Sequence, residues 1–280
     1  MGKVYDALQR AEEERGRSGE KRAATRQGSK WQPAGPGEEV RPAKRRGLLR
    51  QRERVEQESA NASNKRRLAL LRPESFVAEQ FRTLRARLDS IGTQRPLRTI
   101  AVTSALRGEG KSTAAVNLAI VTALQTDRRP LLVDLDFRQP AVHRALGVTP
   151  RAGVGEVLSG DATLETAISQ VEGLNLCVLP VRSKPAHPSE QLASDKMRAL
   201  IEELARSYEP IILDTPPTLG LPDVKAISEY VDGIVLVVRA DATPREDIEA
   251  ALDLLDRRRI LGIVLNSVHL DVERYDYRAS

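Results

Sequence analysis

The 280-residue chain contains one cysteine, three histidines, one tryptophan, three phenylalanines and five tyrosines. A lone cysteine excludes an internal disulfide. Cys177, inside the apolar run Leu174-Asn175-Leu176-Cys177-Val178-Leu179, reads as a buried thiol in a cytoplasmic protein. His143, His187 and His269 lack ligand spacing, so a zinc site is excluded and any metal is Mg²⁺ held by oxygen. No stretch approaches 18 consecutive apolar residues, and Met1-Gly2-Lys3 does not lead into the apolar run of a signal peptide. Asp6 stands where a myristoylation pattern needs Ser or Thr. The expectation is therefore an internal protein without a membrane span. Aromatics are only 3%, so Leu, Val, Ile and Ala must fill the core, and 40% hydrophobic content suits one α/β domain with residues to spare.

Charge is divided unevenly. Residues 1–72 hold 19 Lys and Arg against 10 Asp and Glu, whereas the remaining 208 hold 25 against 29. The basicity belongs to an arm. Residues 16–72 are polar and mostly without apolar periodicity, which predicts a disordered basic linker. Runs such as Lys44-Arg45-Arg46 and Lys65-Arg66-Arg67 read as solvated segments able to meet an anionic membrane surface, and no nucleic acid is expected. Ahead of them, residues 1–15 place Val4, Tyr5, Leu8 and Ala11 along one side of a short N-terminal helix.

What the chain does contain centres on Thr103-Ser104-Ala105-Leu106-Arg107-Gly108-Glu109-Gly110-Lys111-Ser112-Thr113. Triphosphate binding needs glycines where backbone N–H groups must turn toward phosphate oxygens, a lysine to reach the β- and γ-phosphates, and a hydroxyl for Mg²⁺. Gly108, Gly110, Lys111 and Ser112 supply them. A buried strand at 99–103 and an apolar helix at 112–124 put this loop at a helix N-terminus, although Ala105 replaces the first glycine of the strict pattern. Two further apolar strands end in carboxylates: Leu131-Leu132-Val133-Asp134-Leu135-Asp136-Phe137-Arg138 and Ile211-Ile212-Leu213-Asp214-Thr215-Pro216-Pro217. Such acids emerge at the phosphate edge of a parallel sheet, where P-loop enzymes anchor magnesium.

In this order, the Walker A loop, the Asp-x-Asp-x-Arg station and the Walker B Asp-Thr-Pro-Pro resemble the bacterial tyrosine kinases, the capsule and exopolysaccharide autokinases. The resemblance covers about residues 70–280, and Arg107 stands where that family usually carries Pro. It implies ATP and Mg²⁺ as cofactors, with Arg107, Gly108, Glu109, Gly110, Lys111, Ser112 and Thr113 cradling the nucleotide and Asn266 at the adenine. It implies Ser112, Asp134, Asp136 and Asp214 at the metal, and Lys111, Asp134, Asp136 and Asp214 as the catalytic set, without saying which of Asp134 and Asp136 is the base. It also implies a transmembrane activator of the polysaccharide co-polymerase type, and a place at the inner face of the plasma membrane.

Between these stations, strands and helices alternate: strand 174–179, helix 190–207, strand 211–214, helix 223–230, strand 234–238, helix 245–257 and strand 260–265. The expected fold is an α/β P-loop NTPase, a mostly parallel sheet with helices on both faces, occupying residues 73–270. The glycine run at 153–160 reads as a turn and short helix. Residues 74–91, starting after Pro73, form an amphipathic helix with Val77, Phe81, Leu84, Leu88 and Ile91 on one side. Its other face carries Glu79, Arg82 and Arg85. These read either as ordinary surface pairs or, by the resemblance, as the contact that assembles a ring-shaped homo-oligomer. Tyr275 and Tyr277 in the tail 271–280 correspond to the family's phosphate acceptors. The resulting expectation is an ATP-dependent protein-tyrosine autokinase regulating capsular or exopolysaccharide polymerisation and export. The alternatives are a MinD- or ParA-like ATPase switch, whose signature lysine is replaced by Leu106, and a nucleotide-binding scaffold without turnover.

Overall fold

The computed structural model describes residues 67–125 and 128–268. The predicted helix at 1–15, the linker as far as residue 66 and the tail from 269, with Tyr275 and Tyr277, lie outside the described residues.

A single helical turn, α1 (Leu68–Leu71), and a long helix, α2 (Phe76–Gly92), come first, followed by β1 (Thr99–Ser104), α3 (Lys111–Gln125) and β2 (Leu131–Asp134). Then come α4 (Val142–Leu146), α5 (Val154–Ser159), α6 (Leu164–Ala167), β3 (Ser169–Gln170) and β4 (Cys177–Leu179). The rest is α7 (Pro188–Leu192), α8 (Asp195–Leu204), β5 (Ile211–Asp214), α9 (Asp223–Ser228), β6 (Gly233–Arg239), α10 (Arg245–Leu254) and β7 (Ile260–Asn266). The strands form one seven-stranded sheet in the order β3-β4-β2-β5-β1-β6-β7. All pairings are parallel except β3 with β4, which is antiparallel.

Apolar runs such as Thr99–Ser104 and Ile211–Asp214 are buried throughout because helices cover both faces of the sheet. Their side chains divide between two cores by the alternation of the strand. Ile100, Val102, Leu132 and Ile212 face α2 and α3, while Ala101, Leu131, Val133, Ile211 and Leu213 face the side of α5, α8 and α9. The carboxyl ends of β1, β2 and β5 are register-matched, Val102 beside Asp214 and Asp214 beside Asp134, so the two acids sit side by side at one edge.

Several boundaries differ from the sequence reading. Residues 68–71, assigned there to the linker, form a helical turn in which Ala69 is buried and its N–H donates to Asn117 Oδ1 of α3 at 2.8 Å. Helix α2 begins later, because Ser75 caps it by accepting from the Ala78 N–H. Val77 is exposed, since the small Ala78 takes the buried position in the first turn. The single helix expected over 190–207 is two, α7 and α8, because the Ser194 hydroxyl accepts from Met197 N–H and starts a new helix. The last helix stops at Leu254, short of the expected 257, where Leu255 turns extended and residues 257–259 form a 3₁₀ turn.

Candidate nucleotide and phosphoryl-transfer site

The loop between β1 and α3 takes the conformation its glycines allow. Positive φ falls on Gly108 (84°) and Gly110 (100°), and Ala105 is not among the residues with positive φ, which is why alanine is accepted there. Gly110 is held for a second reason. A Cβ on it would lie 2.0 Å from Nδ2 of Asn266, which crosses from the end of β7 and donates to the Glu109 carbonyl at 2.8 Å. Asn266 is thus brought to the phosphate loop, packed on its backbone.

Arg107, Gly108, Gly110, Lys111, Ser112 and Thr113 line one wall of a cavity of about 230 Å³, with Asp136, Arg138 and Gln139 opposite. Glu109 does not line it. Its carboxylate is buried and turned the other way, Oε2 accepting the Leu106 N–H at 2.6 Å and Oε1 accepting the Thr243 hydroxyl. The sequence pattern gave no sign of this orientation, or of Thr243.

At the base of the cavity Lys111 Nζ donates to Asp136 Oδ2 at 2.6 Å, lies 3.3 Å from Ser112 Oγ and 3.8 Å from Asp214 Oδ1. Burial pulls its ammonium down, but the charges of Asp214, Asp136 and Asp134 outweigh this and hold it above the usual lysine range. Asp136 Oδ1 accepts the Gln139 N–H at 2.9 Å. Asp134 is fully buried, its Oδ1 accepting from Asp136 N and its Oδ2 from Ala141 N and Val142 N. Burial and the charge of Asp214 push the Asp134 carboxyl up to about 8, against the opposing pull of the Val142 and Ala141 N–H groups. Two buried carboxylates, Asp136 and Asp214, thus face one ammonium, an excess of negative charge that a divalent cation would neutralise. Among the described residues no three His, Cys, Asp or Glu side chains close on a point as a ready metal cage. Mg²⁺ binds through one or two carboxylates, a hydroxyl and substrate phosphates, groups of the kind Ser112, Asp136 and Asp214 offer here.

The third member of the Asp-x-Asp-x-Arg station, Arg138, reaches Asp223 Oδ2 at 3.2 Å and Ser189 Oγ at 3.0 Å, while Lys184 Nζ donates to its carbonyl at 2.7 Å. It fastens the cavity wall to the starts of α7 and α9. On α2, Glu79 and Arg82 pair with each other at 2.6 Å, Arg82 also donates to the Pro73 carbonyl at 2.5 Å, and Arg85 lies 3.6 Å from Asp89. These three are remote from the cavity, whose lining contains none of them.

A Walker A loop over paired strand-end carboxylates on a mainly parallel sheet defines a P-loop nucleotide-binding protein. Residues 97–258 match the family model described as an AAA domain. The chain is 35% identical over 205 residues to the tyrosine-protein kinase YwqD of Bacillus subtilis, covering 72% of this chain and 86% of that one. The kinase domain of the Escherichia coli tyrosine kinase ETK superposes with a TM-score of 0.69 at 28% identity, over 76% of this chain and 81% of the other. The septum site-determining protein MinD of Pyrococcus horikoshii, solved with Mg-ADP, superposes less well, with a TM-score of 0.51 at 27% identity, over 60% of this chain and 70% of the other. The chain belongs to the bacterial tyrosine kinases, and MinD shares its fold.

Proposed function

We propose that the cavity binds Mg·ATP and transfers the γ-phosphoryl group to a tyrosine hydroxyl in the tail of another copy of the chain, Tyr275 or Tyr277. The observation that carries this reading is Lys111 set 2.6 Å from Asp136 and 3.8 Å from Asp214 beside the Ser112 hydroxyl. Ser112 and Asp214 would hold Mg²⁺, which when bound draws charge from the phosphate oxygens. The backbone of residues 107–112 and the Lys111 ammonium receive the phosphates, so Lys111 exchanges Asp136 for phosphate oxygens as the nucleotide enters. That exchange frees the Asp136 carboxylate. As the tyrosine oxygen bonds to the γ-phosphorus and the β–γ bridging bond breaks to release ADP, Asp136 accepts the hydroxyl proton. Asp134, with three backbone N–H groups on its two oxygens, holds the turn that presents Asp136. In this reading Asn266 and the loop 240–244 flank the base end of the nucleotide.

Membership of this family supports a role in capsular or exopolysaccharide polymerisation and export, and a transmembrane activator of the polysaccharide co-polymerase type and a ring of identical subunits would go with it. Among the described residues no helix is long and apolar enough to cross a membrane, so membrane contact would come through that activator and the basic arm. The MinD-like switch makes a different prediction, ATP hydrolysis with no protein phosphorylation.

Incubation of the purified chain with Mg·ATP, read by anti-phosphotyrosine blotting, separates the two. Phosphotyrosine should appear in the wild type and fall at least 100-fold in Lys111→Met, with an unchanged melting profile, the loss expected when a transition-state cation is removed. ATP turnover without phosphotyrosine in the wild type would overturn the kinase reading.

A further inference from the structure

The larger cavity lies at the other pole of the sheet. Strands β1 and β5 run from it to the phosphoryl-transfer site, so the two sites occupy opposite ends of the same strands. Its volume is about 580 Å³, within the range of small-ligand sites, and buried Leu88, Ile100, Leu118 and Ile212 form its floor. Its rim carries Arg85, Arg95, Arg98 and Arg128 against two carboxylates, Asp89 and Glu209. The carboxylates are already engaged, Glu209 with Arg128 at 3.5 Å and Asp89 with Arg85 at 3.6 Å. Arg85 Nε is nevertheless enclosed without a hydrogen bond. Arg95 is steered by a bond from its guanidinium to the Arg258 carbonyl at 3.2 Å, and the Arg98 backbone N–H is fixed by Asp232 at 2.8 Å. Neither guanidinium faces a carboxylate on this rim.

We propose that this cavity is a phosphotyrosine site that receives the phosphorylated tail of a second copy of the chain. An apolar floor under an arginine rim suits an aromatic ring that bears a dianion. The ring displaces water from the aliphatic side chains, and the phosphate oxygens take charge-assisted bonds from planar guanidinium groups. Phosphotyrosine is also what the proposed reaction makes, so the ligand identity rests on that reading while the cavity chemistry does not. The second copy is indicated by Arg85, which belongs both to this rim and to the α2 face read as the subunit contact. In a ring, the rim would lie beside a neighbour. A tail leaving the active site with two added negative charges would then find a cationic seat on the next subunit.

The test uses fluorescence anisotropy of three labelled peptides of residues 268–280: unphosphorylated, phosphorylated at Tyr275, and phosphorylated at Tyr277. The receptor is the full chain with no ATP present. At least one phosphopeptide should bind tenfold or more tightly than the unphosphorylated peptide. Arg95→Ala with Arg98→Ala should abolish that preference while leaving ADP affinity unchanged, and phenyl phosphate should compete better than inorganic phosphate. Equal binding of all three peptides, or a preference that survives the double variant, overturns the proposal. Mass spectrometry of autophosphorylated protein separates the two readings, because a chain that binds phosphopeptide but carries no phosphate on Tyr275 or Tyr277 keeps the site and loses its proposed source.

Discussion

Glu109 sits between two glycines of the phosphate loop, yet its carboxylate points away from the cavity and bridges two segments distant in sequence. With 3% of its surface exposed, it satisfies the Leu106 N–H and the Thr243 hydroxyl, which in turn accepts the Arg239 N–H. The loop's shape therefore depends on the turn after β6. Glu109→Gln should cost about 1–3 kcal/mol, because an amide has one acceptor atom where the carboxylate uses two. Thr243→Val should cost a similar amount and Thr243→Ser should recover most of it. Thermal melts check the stability. ADP affinity should fall alongside, since a loosened loop no longer presents its N–H groups. Unchanged affinity in Glu109→Gln would mean that the bridge fastens the domain without shaping the cradle. At this scale the glycines, Lys111, Ser112 and the three aspartates were legible because their spacing encodes their chemistry. The direction of the Glu109 side chain was not, because its partner is 134 residues away.

Helix α2 is the element whose reading changes most with context. As a single chain it uses Glu79 and Arg82 on one another, an exposed pair worth a few tenths of a kcal/mol. Phe76 and Val77, exposed at 45% and 38%, stand in the same first turns and offer apolar surface beside those charges. If this face assembles the proposed ring, Arg82→Ala with Arg85→Ala should leave the melting temperature nearly unchanged while lowering the mass in light scattering to that of a monomer. A retained ring would return these residues to helix surface. The strand–helix alternation of the sheet was readable, because buried parallel strands appear as continuous apolar runs. The antiparallel edge strand β3 was not, since its two residues, Ser169 and Gln170, carry no pattern. The break between α7 and α8 was missed because Ser194 acts as a cap only when the chain bends there.

At the scale of the molecule, the question is which tyrosine takes the phosphate and from which chain. Tyr230 donates its hydroxyl to the Leu192 carbonyl at 3.2 Å, and burial raises its pKa, partly opposed by Arg198. Tyr208 is half-buried under the Arg129 guanidinium, 5.2 Å from its ring. Both are spent in packing. That leaves Tyr5, Tyr275 and Tyr277, of which the last two follow β7, the strand whose end carries Asn266 onto the phosphate loop. From Asn266, Tyr275 is nine residues on and spans at most about 30 Å, a reach that by itself admits either its own site or a neighbour's. Phosphorylation between chains is the reading proposed above, and mixing separates it from phosphorylation within a chain. A Lys111→Met chain can accept but not donate, and a Tyr275→Phe, Tyr277→Phe chain can donate but not accept. Neither should label alone by more than a few per cent of wild type. Together they should place label on Lys111→Met at a rate that rises with total concentration, and adding Arg82→Ala and Arg85→Ala to both should remove it. Label on the double-Phe chain at Tyr5, or none in the mixture, would show that the tail is not the acceptor. Strong labelling within a diluted wild-type monomer would show that the chain phosphorylates itself and that the ring is not required.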